Sequence, residues 1–156
     1  EMLLLEFYSS LADIYHTTGN NSTSDSLYEK VLSIDPENVL VLNNYAYYLS
    51  VRKVKLGKAE EMSLKCNELE KENGTYQDTY AWILYQLGEY KKAKEWIQKS
   101  LANGSDSSAV VVEHYGDILY QLGEIENAII QWKKAQELGE ASEFLNQKIE
   151  EGKLYE

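Results

Sequence analysis

The chain has 156 residues, with 15 Lys plus Arg against 26 Asp plus Glu and a formal net charge of −11. That balance excludes a general nucleic-acid binder, which needs clustered cations for phosphates, and docking on an anionic membrane surface. A single cysteine and a single proline exclude an internal disulfide framework and a cysteine zinc cluster, and leave long helices open along the chain.

The first apolar run, Met2-Leu3-Leu4-Leu5, is far too short to span a bilayer and follows Glu1, where a secretory signal would carry positive charge. It opens a helix expected over about 4–18, stopped by Gly19, with a second helix over about 23–34 before Pro36. The next pair is expected over about 38–50 and 58–72, with Gly57 in the turn and one extra residue between Val54 and Gly57. A third pair, about 75–87 and 90–102, brackets Gly88, and a fourth, about 108–122 and 125–138, brackets Gly123. A ninth helix is expected over 142–152, with Ser142 as N-cap and Phe144, Leu145 and Ile149 as a narrow apolar stripe.

The pairs repeat in register. Ala12, Ala46, Ala81 and Gly116 are spaced by 34, 35 and 35 residues, and Ser24, Ala59, Ala93 and Ala128 form a second small-residue series. Tyr28, Ser63, Ile97 and Trp132 follow four positions later, then Val31, Cys66, Ser100 and Ala135. Small residues let two helices approach closely, and large ones fill the gaps. A period near 34 marks a helical-hairpin array, in which no repeat buries its apolar face alone.

Tyr8-x-x-Leu11-Ala12-x-x-Tyr15-x-x-x-Gly19, then Ser24-x-x-x-Tyr28-x-x-Val31 and Pro36, resembles the tetratricopeptide repeat (TPR) pattern. Gly88-Glu89-Tyr90-x-x-Ala93 and Gly123-Glu124-Ile125-x-x-Ala128 match its turn segment. The resemblance covers about residues 5–142; Gln77 and Val112 replace the first aromatic, and repeats two to four lack the closing proline. It implies an all-α right-handed superhelical solenoid of four hairpins, at about 5–38, 39–73, 74–108 and 109–142, plus a C-terminal capping helix, in one domain over 1–156.

The resemblance also implies a concave face lined by first helices, where ligand segments lie. Carried over position by position, the candidate groove is Asp13, His16, Asn43, Tyr47, Asp78, Trp82, Tyr85, Glu113, Asp117 and Tyr120. It holds no Lys or Arg, so a clamp for an acidic chain end is not expected. Its aromatics suit hot-spot anchors, and Asp78, Glu113 and Asp117 suit a partner's Lys or Arg. The expected partner is therefore a protein or peptide segment with basic and apolar residues. The alternative is a solvated acidic face whose aromatics half-pack on neighbouring helices.

The N-terminal leucines and Phe7 cover more than one helix stripe. Upstream TPR repeats of a longer bacterial chain are the expected cover, which would make this segment a structural cap. Cytoplasm and periplasm both stay open, and neither nucleic acid nor membrane insertion is expected. Tyr8, Tyr15, Tyr28, Tyr45, Tyr80, Tyr90 and Tyr115 fall on packing positions, and Cys66 reads as a buried core thiol. His16 and His114 lie far apart, so no catalytic set, metal site or cofactor is expected. Asn-x-Ser/Thr occurs at Asn20, Asn21, Asn73 and Asn103, where the turns themselves also call for Asn.

Overall fold

The computed structural model describes residues 2–139 and 141–156; Glu1 and Glu140 lie outside the described residues. The chain divides into two compact units between Lys71 and Glu72, at the junction of the second and third repeats. The N-terminal unit holds α1 (Met2–Thr17), α2 (Asn21–Ile34), α3 (Val39–Val51) and α4 (Leu56–Leu69). The C-terminal unit holds α5 (Gly74–Gln86), α6 (Tyr90–Ser100), α7 (Ala109–Gln121), α8 (Ile125–Leu138) and α9 (Leu145–Glu151). Among the described residues there is no strand.

Helix starts are fixed by side chains at the repeat period. Asn38, Asn73 and Ser108 cap α3, α5 and α7 by accepting from backbone N–H groups of the first turn, and Asn20 does the same for α2. Two Asn-x-Ser/Thr sites thus use their asparagine as a cap, and the Asn103 amide donates to Gln77 Oε1 at 2.9 Å.

The first helix of each repeat packs on its second: α1 on α2, α3 on α4, α5 on α6 and α7 on α8. Ala12, Ala46, Ala81, Ala59, Ala93 and Ala128 are all fully buried at these contacts. Gly116 breaks the alanine series for a steric reason. A Cβ there would meet Trp132 Cδ1 at 2.4 Å and Nε1 at 2.5 Å. The bulkier aromatic at that place in the fourth repeat requires the smaller partner.

The turns follow one design with one substitution. Gly19, Gly88 and Gly123 adopt φ near +80° and close their helices with paired backbone bonds, such as Gly88 N to Tyr85 O at 2.9 Å and Glu89 N to Leu84 O at 2.9 Å. In the second repeat that position is Lys53, at φ 56°, with the same bonds to Ser50 O and Leu49 O. Gly57 is not the turn glycine expected from its place between the two series; it lies inside α4. The extra residue falls between Lys53 and α4, and Lys55 absorbs it with a second positive φ of 47°.

Two boundaries differ from expectation. α6 ends at Ser100, and a wider turn, Leu101–Ser105, follows, with Gly104 at φ 97°. α9 begins at Leu145 and has no side-chain cap. Ser142 instead turns its backbone N–H (2.8 Å) and its hydroxyl onto Glu113. Both Ser142 groups donate to an ionised carboxylate, a charge-assisted pair stronger than an ordinary neutral hydrogen bond.

Candidate functional site

In the N-terminal unit, Asp13 of α1 is half-buried and accepts from Tyr28 Oη, and from Tyr48 Oη at 3.3 Å. Burial and the Asp13 carboxylate push the Tyr28 phenol above its usual range, so it stays a donor. His16 stacks on Tyr48 with centroids 3.6 Å apart, and its Nδ1 is buried without a partner. Asn43 is only 7% exposed, and its Oδ1 also lacks a partner. Tyr47 is half-exposed beside Tyr48.

In the C-terminal unit, α5 and α7 build a layered face. Trp82 lies between His114 (3.9 Å, 15°) and Tyr85 (4.5 Å, 6°) in one parallel stack. His114 Nδ1 donates to Asp78 Oδ1 at 2.9 Å, which fixes the ring against the indole. Burial works against a charged imidazole here, but Asp78 outweighs it and holds His114 above the usual histidine value. Trp82 and Tyr120 are partly buried, the Asp78 and His114 side chains are only 14% and 12% exposed, and Tyr85 is buried.

Glu113 and Asp117 do not wait for a partner's cation. They are 4% and 3% exposed, and the cation they receive is Lys148 of α9, itself 2% exposed. Lys148 Nζ lies 2.8 Å from Glu113 Oε1 and 2.8 and 2.9 Å from the two Asp117 oxygens. Trp132 Nε1 donates to Asp117 Oδ1 at 2.9 Å. Burial of two carboxylates around one cation pushes Asp117 up to about 6, against the pull of Lys148. Burial also pushes Glu113 up, but Lys148 and the two Ser142 bonds outweigh it and hold Glu113 below the usual carboxylate range.

Lys148 and Ser142 were absent from the sequence-derived face. A signal for them existed. Glu113 and Asp117 stand one turn apart on a helix that is otherwise apolar inward, and such a pair needs an internal cation. Lys148 sits three residues after Leu145, and these two are the buried residues of α9.

Among the described residues no group of three His, Cys, Asp or Glu could hold a metal ion, and no helix is long and apolar enough to cross a membrane. Cys66 is fully buried with its Sγ 3.4 Å from Val39 O, and burial pushes its thiol up to about 12, the reverse of activation.

A family model described as tetratricopeptide repeat matches residues 5–139. The chain belongs to the tetratricopeptide repeat family. TPR relatives include the TPR repeat-containing protein PA4667 of Pseudomonas aeruginosa, 29% identical over 87 residues, 56% of this chain and 14% of that protein. Type IV pilus assembly protein PilF of the same organism is 28% identical over 116 residues, 73% of this chain and 45% of PilF. The chain thus spans less than half the length of these two relatives. The solved pilF structure superposes with a TM-score of 0.75 at 24% identity, over 88% of this chain and 62% of that one. YrrB, described as a TPR protein with an unusual peptide-binding site, superposes with a TM-score of 0.66 at 18% identity, over 85% of this chain and 67% of that one. The fold is the all-α TPR solenoid class.

Proposed function

We propose that this TPR chain is a protein-interaction scaffold, not a catalyst, and that its first-helix faces bind a segment of a partner protein. The observation that carries this reading is the partly exposed Trp82, held flat between His114 and Tyr85. A rigid, amphipathic ring fixed in advance loses little entropy on binding, which is what a hot spot requires. In the N-terminal unit, Tyr47, His16 and Asp13 supply the corresponding groups. With Glu113 and Asp117 buried and both engaged by Lys148, apolar and aromatic contact dominates recognition in the C-terminal unit.

The test is capture of partners from lysate on the parent chain and on Trp82→Ala, at low and high salt, with matched melting curves. The reading predicts a partner captured by the parent and lost from Trp82→Ala at either salt concentration. A partner retained equally by both would move binding off this face.

A second reading is that the chain caps a longer TPR array, and a specific observation favours it. Phe7 and Ile14 of α1 are 60% and 56% exposed. Their register equivalents in α7, Val111 and Ile118, are 6% and 0% exposed, packed with Ala93 and Ile97 of the preceding second helix. A preceding repeat would cover Phe7 and Ile14 in the same way. Phe7→Glu/Ile14→Glu should leave the chain's own stability intact and abolish any concentration-dependent association in sedimentation. Loss of folding in that variant would contradict this reading.

A further inference from the structure

After α9 the chain reverses at Gly152, at φ 60°, and continues without regular structure to Glu156. Leu154 packs against both apolar clusters of the C-terminal unit, one around Tyr80, Tyr85, Ile97 and Ile118, the other around Val112, Leu119 and Trp132. Two residues further, Glu156 accepts a hydrogen bond from Tyr85 Oη. Gln121 Nε2 donates to the same Tyr85 oxygen at 3.4 Å. Residues 154–156 therefore lie against Tyr85, the buried member of the Trp82 stack.

The chemistry of this contact is specific. The carboxylates of the face are already engaged, Asp78 by His114 and Glu113 and Asp117 by Lys148. What the face turns toward the tail is a phenol donor beside an apolar floor. Leu154 fills the floor and Glu156 takes the donor.

We propose that 153–156 is a displaceable internal occupant of this face, and that the partner segment replacing it has the same chemistry: an apolar side chain followed two residues later by a carboxylate. The inference deepens the scaffold reading above and rests on it. It also reverses the sign of the partner charge expected from the sequence, because the acidic groups that suggested a basic ligand are satisfied from within. The Leu154 packing and the charge-assisted Glu156 bond must help offset the ordering of the tail. Its advantage is tethering: a short linker gives an effective concentration on the order of millimolar. An outside segment must exceed that, so the tail sets a threshold for binding.

The experiment uses an amidated peptide matching residues 151–156, Glu-Gly-Lys-Leu-Tyr-Glu, titrated into the 15N-labelled full chain. The Trp82 indole and Gln121 amide side-chain signals report on the face. Three chains are compared: the parent, Leu154→Ala/Glu156→Ala, and the same pair with Tyr85→Phe. The tail variant should bind the peptide at least about tenfold more tightly than the parent, and Tyr85→Phe should remove most of that gain. Equal dissociation constants for parent and tail variant, or no shift in either, would overturn the proposal. Glu156→Gln, the mildest change, guards against misfolding: it should move the Gln121 signal in the free chain, and an unmoved signal counts against the contact. If the peptide result fails while capture by Trp82 persists, the tail falls and the scaffold stands. If the peptide behaves as expected while capture ignores Trp82, the tail contact stands as an internal clasp and the partner role of the face falls.

Discussion

Asp13 and Asp117 occupy the same register position, each directly after the small residue of its first helix, yet they are satisfied by different means. Asp13 takes two phenol donors, Tyr28 and Tyr48. Asp117 takes an indole N–H and an ammonium, Trp132 and Lys148. In both repeats an aromatic donor from the second helix meets the carboxylate of the first. The difference lies in what packs next: a neutral tyrosine in the N-terminal unit, a capping helix with a cation in the C-terminal one. A repeat position thus sets where a carboxylate sits, and the neighbouring element sets its charge balance.

The comparison breaks most sharply at Lys148. Lys148→Met leaves two carboxylates buried without a cation and should cost about 3–5 kcal/mol, seen as a large shift in urea midpoint. Asp13→Asn, which keeps an acceptor for the two phenols, should cost about 1 kcal/mol by the same measurement. Equal losses would mean that Lys148 is not the keystone of the C-terminal unit.

Next comes the helix approach beneath Asp117. Gly116→Ala forces a Cβ into Trp132 and should destabilise by about 2–3 kcal/mol. Ala12→Gly, at the equivalent place under Tyr28, should cost only about 1 kcal/mol through chain entropy. Thermal melts of the two variants check the contrast.

Protonation sharpens it further. Asp117 is raised to about 6 in the folded chain, and His114 is raised as well. For both groups the folded state binds more protons than the unfolded one. Their contribution is therefore present at acidic pH and lost as pH rises through their folded values. Glu113, held low, acts in the opposite sense, and its contribution is lost only as pH falls below the ordinary glutamate range. Stability should accordingly decline from about pH 4 to about pH 6 as Asp117 loses its proton, and again above the ordinary histidine value as His114 loses its own. The Asp117 part should be on the order of 3 kcal/mol, because one extra proton held by the folded chain across one pH step is worth about 1.4 kcal/mol. Asp117→Asn should flatten that slope; an unchanged slope would mean that Asp117 does not titrate with folding.

The smallest expected effect lies in the turns. Lys53→Gly should stabilise the N-terminal unit by about 0.5–1 kcal/mol, because glycine adopts positive φ without the Cβ strain that lysine carries. A neutral or negative effect would show that the lysine is compensated elsewhere.

The fold was legible because its determinants are local and periodic. Ala12, Ala46, Ala81 and Gly116 recur at the period that stacks helices, and the turn glycines recur seven positions after three of them. Lys53 stands at that same offset, but a lysine carries no turn signal of its own, so Gly57 attracted the assignment. The candidate face was legible only in part. Trp82, Tyr85, Asp78 and His114 are brought together on α5 and α7, as the register implied. Glu113 and Asp117 lie on the same helix face but are taken by Lys148, which lies outside the repeat pattern and obeys no period. The same holds for Ser142, Leu154 and Glu156: their positions depend on how the chain enters and leaves α9.

The most direct measurement is photo-crosslinking in cells of the source organism, with benzoylphenylalanine at position 82 or, as a control, at exposed Glu95 of α6. A discrete adduct with one protein partner is expected from position 82 and none from position 95. Equal adducts from both positions, or an adduct from position 95 alone, would contradict the claim that the Trp82 face is where this chain meets its partner.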